Sequence, residues 1–188
     1  MRLLRIIIAL CLSLSFVTTL TAQDSKWWTN IHVGREFFGQ SAEELKRGWN
    51  GGIELRYYLS GSLYLLGTMN YGFTSTSFSS GYYDDNGNNA TARLKRHSIL
   101  PAVGAGYEYL WGDYYSCYVQ GGAGYGMECT TISYPNKETL WAKCFGWLLE
   151  TGGDYFIREN LAVGVSVAHL RVGLRNNWTV NLKCSIPL

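Results

Sequence analysis

From Trp27 onward, apolar side chains recur at every second position in eight segments: 27–38, 49–59, 62–75, 96–109, 114–128, 139–156, 160–170 and 177–188. In the second of them Trp49, Ile53, Leu55, Tyr57 and Leu59 alternate with Asn50, Gly52, Glu54, Arg56 and Tyr58. A strand turns successive side chains to opposite faces, so a period of two predicts a sheet that is greasy on one face and polar on the other. The breaks between segments are rich in Gly, Asn, Asp and Ser, the residues of turns. The pattern therefore predicts an all-β chain: an eight-stranded antiparallel up-and-down transmembrane β-barrel. Ten strands is the alternative count.

Connection lengths alternate as well. Ser60-Gly61, Leu110-Trp111-Gly112-Asp113 and Ile157-Arg158-Glu159 are very short. The first, third, fifth and seventh connections are expected to be longer, and the third, Ser75 to Lys95, by far the longest. Short turns at one end and long loops at the other is the layout of an outer-membrane barrel, with the short side periplasmic. Rings collect near both ends of the segments. Trp27 opens the first; Tyr57, Tyr109, Tyr115 and Tyr155 lie near short turns; Trp49, Phe73, Tyr125, Trp141 and Trp178 lie near long connections. About ten residues separate the two sets, which suits a tilted spanning strand of ~9–11. These ten rings are the expected aromatic girdles.

The opposite face is small or polar. Glycines such as Gly104, Gly106, Gly122 and Gly124 stand there, relieving crowding in a narrow barrel. So do Glu54, Arg56, Glu108, Glu150, Asp154 and Lys183, expected to form a lumenal charge network with Arg56 and Lys183 as hubs. Tyr58, Tyr64, Tyr114 and Tyr118 are its expected hydroxyl donors. Charges in a narrow lumen must pair, because desolvating a lone one costs several kcal/mol.

Ahead of the first strand, Arg2 and Arg5 precede an apolar run from Ile6 to Leu20, followed by Thr21-Ala22-Gln23. This reads as a secretory signal peptide over 1–22, cleaved after Ala22, which leaves 188 − 22 = 166 residues for one barrel domain over 23–188. Composition agrees. Aromatic residues make up 15% and charged residues 16%, against a usual ~25%. A net charge of +2 with no basic concentration argues against nucleic acid as a partner.

Candidate chemistry is thin, and neither a catalytic residue, a metal nor a cofactor is expected. Cys117, Cys129, Cys144 and Cys184 match no metal-ligand spacing. Cys129 and Cys144 flank one loop but do not lie opposite in a simple hairpin register, which leaves a disulfide between them open. His97-Ser98 invites a serine-esterase reading, yet neighbours on a strand face opposite ways and would not form a nucleophile–base pair. His169 and Ser166 also have opposite parity. Asp84, Asp85, Asn86 and Asn88 supply oxygens without the spacing of a calcium loop or its bidentate Glu, so a polar loop is expected there. Asn89-Ala90-Thr91 and Asn177-Trp178-Thr179 match the glycosylation pattern, which carries no meaning in a bacterial outer membrane. Arg93, Lys95, Arg96, Arg171 and Arg175 stand where strands meet the outer leaflet and are candidate contacts for lipopolysaccharide phosphates.

The stretches Gly104-Ala105-Gly106-Tyr107-Glu108-Tyr109 and Gly121-Gly122-Ala123-Gly124-Tyr125-Gly126, the short turns and the apolar last segment ending Ile186-Pro187-Leu188 carry a resemblance. The mature chain resembles the small outer-membrane β-barrel proteins of the OmpA/OmpX type. The resemblance implies a bacterial outer-membrane location and contact with outer-membrane lipid. It also implies handling by the barrel-insertion machinery, which reads the last strand; family members commonly end in an aromatic residue, and this chain ends in Leu188. The chain stops at the barrel, so the peptidoglycan-binding domain of OmpA-type proteins is not expected. The implied role is structural or surface-interacting (envelope integrity or adhesion through loops that bind surface ligands) and non-enzymatic. A lipid A-modifying enzyme is the first alternative. The second is a secreted lipocalin-like barrel, with its apolar face turned inward around a ligand.

Overall fold

A computed structural model describes residues 26–38, 47–83, 89–133, 136–172 and 175–188. The signal segment 1–22, Lys46 and the Asp84–Asn88 stretch lie outside the described residues. The described chain forms eight strands: β1 (Trp27–Phe38), β2 (Arg47–Ser60), β3 (Leu63–Tyr83), β4 (Asn89–Trp111), β5 (Tyr115–Ile132), β6 (Glu138–Arg158), β7 (Leu161–Val172) and β8 (Arg175–Pro187). Each pairs antiparallel with its neighbours in sequence, and β1 pairs with β8 to close the ring. The strand count is eight, not ten.

The register fixes the shape of the cylinder. A row starting at Trp28 passes Arg56, Leu66, Gly104, Gly122, Leu148, Leu170 and Asn177, and returns to β1 at Phe38, ten residues further along. With ~3.3 Å per residue and ~4.8 Å between strands, that shear tilts the strands by about 41° on a cylinder of about 8 Å radius. Such a cylinder has room inside for side chains and little else.

Alternation resolves into outside and inside. The apolar set is outward: Val103 is 73% exposed and Trp141 71%. The polar set is inward and buried, with Asn30, Glu54, Arg56, Gln120 and Lys183 at 3% or less. A lipocalin-like barrel would have the reverse, so that alternative falls. Three tight turns join the strands at one end, at 61–62, 112–114 and 159–160. Gly112 takes a φ of +69° in the second, a conformation that costs an L side chain strain.

The expected loops need two corrections. Residues 75–83 and 89–95 are strand where a loop was expected: β3 and β4 pair from Leu63↔Tyr107 to Ser79↔Thr91 and, after a register shift, at Tyr83↔Asn89. The seventh connection is also short, since Val172 pairs with Arg175. Among the described residues the strands at the end away from the short turns run to different heights. β2 follows β3 only to Trp49↔Phe73, and β7 follows β6 only from Gly146↔Val172. Above that level β3, β4, β5 and β6 continue as a four-stranded sheet standing on one side of the rim.

Candidate functional site: a filled lumen and a basic outer rim

The lumen is layered. In the half nearest the short turns, the six charged residues expected there meet in one network. Arg56 Nε donates to Glu54 Oε1 at 2.7 Å, and its Nη1 lies 3.7 Å from Glu108 and 3.8 Å from Asp154. Lys183 Nζ lies 3.0 Å from Glu150 and 3.4 Å from Glu54. Neutral groups complete the links. Gln120 Nε2 donates to Glu54 at 2.6 Å and Glu150 at 3.1 Å, while its Oε1 accepts from Tyr64 at 2.7 Å. Asn30 donates to Glu54 at 2.6 Å, Tyr118 to Glu150 at 2.9 Å, and the Tyr58 hydroxyl to Glu108. Rings hold the cations in place: the Arg56 guanidinium lies 4.8 Å from the Tyr64 ring centre and 4.3 Å from that of Tyr118. Cation–π contact adds to ion pairing most where water is excluded. Tyr114 is not a member; it is exposed in the turn after β4, outside the lumen.

Two features of this lumen were not expected from the sequence. The structure adds Asn30 to the network and makes Gln120 a bridge within it; both sit at inward parity, the one signal that marks them. In the opposite half the inward face is not polar throughout: Leu100, Ala102, Leu148, Leu170 and Val172 form an apolar cluster, with Cys144 packed against it. Their trace in the sequence is paired hydrophobics such as Ile99-Leu100 and Leu148-Leu149, one outward and one inward. Beyond the cluster Glu36 accepts from Asn177 Nδ2 at 2.5 Å. A cavity of about 440 Å³ opens at the short-turn mouth among Trp28, Tyr58, Phe156 and the Arg56–Asp154 edge of the network. Arg56, Tyr64, Gln120 and Leu100 are buried to 2% or less, so the core of the barrel is packed.

The outer wall carries the girdle residues. Near the short turns, Trp27 and Tyr57 have ring centres 4.6 Å apart and Tyr115 and Tyr155 5.2 Å apart, with Tyr109 exposed on the same wall. Toward the other end Trp49 pairs across strands with Phe73, and Tyr125, Trp141 and Trp178 are exposed. His169 stands between Trp147 and Trp178, at 4.9 and 4.6 Å.

The candidate lipopolysaccharide contacts divide. Arg93, Lys95 and Arg171 are exposed on the outer wall. Arg96 is not: it has inward parity, is 2% exposed and lies 3.5 Å from Glu128 inside the barrel. Its place in the basic run Arg93-Leu94-Lys95-Arg96 hid that inward parity. The side chain of Arg175 lies outside the described residues. Arg35, not singled out in the sequence, is exposed on β1 and stacks on Trp49 at 4.3 Å.

The candidate reactive groups stay apart. His97 Nδ1 shares a hydrogen bond of 2.6 Å with the Tyr71 hydroxyl on the outer wall, while Ser98 is buried within. Cys129 lies opposite Trp141 and Cys144 opposite Gly126, on different faces, and neither forms a disulfide. Asn177, a formal glycosylation acceptor, is buried in the lumen. Among the described residues no group of three or more His, Cys, Asp or Glu side chains is placed to hold a metal ion.

Comparison with known proteins matches this architecture. No curated protein matches the sequence. Among solved structures, Neisserial surface protein A superposes with a TM-score of 0.62 at 11% identity, covering 87% of this chain and 98% of its own. Ail, the attachment invasion locus protein of Yersinia pestis, solved with the heparin analogue sucrose octasulfate, gives 0.54 at 14%, covering 87% and 99%. The N-terminal β-barrel domain of Pseudomonas aeruginosa OprF gives 0.54 at 16%, covering 88% and 100%. At such identities these likenesses show the fold. The outer membrane protein β-barrel domain family matches residues 7–184, and the chain belongs to that family of bacterial outer-membrane barrels.

Proposed function

We propose that this chain is a non-catalytic surface-interaction barrel that anchors a projecting sheet. The observation that carries the reading is the height of β3 and β4. They stay paired without a break for six residues beyond Phe73, the last partner of β2, to Ser79↔Thr91, and after a register shift meet again at Tyr83↔Asn89. At ~3.3 Å per residue and the tilt above, the unbroken ladder alone rises about 15 Å along the barrel axis. A barrel whose only task was to fill a membrane would gain nothing from it. The stretch 74–77 of β3 is Thr-Ser-Thr-Ser, with Ser75 and Ser77 exposed where a lipid-facing strand would carry apolar side chains. Exposed Arg93, Lys95, Lys137 and Lys143 give the raised sheet a basic character. Ail, which shares the fold, was solved with a sulfated heparin analogue, so a sulfated glycan is the first ligand to try here.

The same basic residues support a lipid contact. Arg93, Lys95 and Arg171, joined by Arg35 on Trp49, stand at the outer-leaflet level, where lipopolysaccharide phosphates would meet them. Export by the 1–22 leader and insertion by the barrel machinery complete the proposal.

Replacing residues 77–92 by a two-residue turn tests it. Cells bearing the shortened protein are expected to lose attachment to sulfated-glycan surfaces while the barrel still folds. Undiminished attachment would remove the role of the sheet. A change in lipid A mass between cells with and without the protein would favour the enzyme reading instead.

A further inference from the structure

On the lipid-facing wall, in the half nearest the short turns, lies a depression of about 1070 Å³ whose lining is almost wholly apolar. Its floor is one outward row in register, Val33, Leu182, Val165, Gly153 and Cys117. The next row toward the turns ends in the paired rings of Tyr155 and Tyr115, then Trp111. Glycine contributes no side chain at the centre of the floor, and a Cβ there would meet only Ser116 O at 3.1 Å and Cys117 Sγ at 4.0 Å. The rings stand up beside this gap, and the wall becomes a groove.

We propose that the groove retains one acyl chain of an inner-leaflet phospholipid. The wall belongs to an outer-membrane barrel, so lipid covers it. Within a bilayer no hydrophobic gain separates one apolar surface from another, and retention must come from packing. A concave wall touches a chain on more than one side, where a convex wall touches it on one. Two features select the inner leaflet. The lining of the groove reaches Trp111, Ile157 and Leu161 beside the short, periplasmic turns, and Arg158, exposed at the end of β6, pairs there with Leu161. Its guanidinium can take a headgroup phosphate, with Trp111 and Tyr115 at the level of the ester groups. Arg93 and Lys95, suited to lipopolysaccharide, stand at the other end of the barrel.

The experiment is native mass spectrometry of the full-length protein extracted from outer membranes in mild detergent. Wild type is expected to carry one phospholipid mass. Val165→Trp, which fills the groove floor, is expected to lower that occupancy roughly tenfold, the effect of about 1.4 kcal/mol of lost packing. Val119→Trp adds the same ring to a lipid-facing site outside the groove and is expected to retain the lipid. Each variant must still show the heat-dependent gel shift of a folded barrel; Val163→Phe replaces V165W should that one fail. A bare wild type, a lipopolysaccharide mass in place of phospholipid, or equal retention by V165W and V119W would overturn the proposal.

Discussion

At the scale of single residues, Arg56 concentrates more of the lumen's order than any surface charge. It is sandwiched between Tyr64 and Tyr118 and reaches Glu54, Glu108 and Asp154. Removing it leaves several acids buried without that partner, so Arg56→Ala is expected to cost about 3–5 kcal/mol. Arg93→Ala, on the exposed wall, is expected to stay within about 0.5 kcal/mol. Urea unfolding in lipid vesicles checks both, and equal midpoints would contradict the hub role. Gly124 is constrained in another way: a Cβ there would overlap the carbonyl of Pro101 on β4. Gly124→Val is therefore expected to prevent folding, read as loss of the heat-dependent gel shift.

Among the elements, the β3–β4 hairpin shows what a periodicity reports. Alternation marks a contrast of environment between the two faces of a strand, and within the membrane that contrast is lipid against lumen. From Val103 to Ile99 it is plain, because outward apolar residues face lipid. Above Phe73 the inward face stays buried at Thr74 and Ala92, yet Thr-Ser-Thr-Ser is polar at every position and carries no apolar–polar contrast although the backbone remains paired. Strand and loop look alike there. The hairpin should accordingly be separable from the barrel: replacing 77–92 by a short turn is expected to shift the unfolding midpoint by less than Arg56→Ala does. A larger shift would mean that the raised sheet supports the cylinder.

For the molecule as a whole, closure between β1 and β8 leaves no open sheet edge within the cylinder itself, so the barrel should resist detergent. Unheated protein from washed outer membranes is expected to run at a different gel mobility from boiled protein; an unchanged mobility would contradict the barrel. The mature polypeptide should begin at Gln23, which intact-mass measurement of the same material checks; a mass retaining residues 1–22 would refute cleavage.

Legible in the sequence were the strand positions inside the membrane, most of the outward and inward sets, the outward rings near both ends and the six charged residues that meet in the lumen. Each is a local consequence of parity along a strand. Closure and register belonged to the tertiary structure. A return to β1 ten residues along decides the tilt, and with it which inward residues share a level. Only that stacking brings Lys183 of β8 to Glu54 of β2 and Glu150 of β6, positions no local pattern relates. It also segregates Leu100, Leu148 and Leu170 into an apolar layer. Contacts between strands distant in sequence depend on ring closure, and parity within one strand carries no information about it.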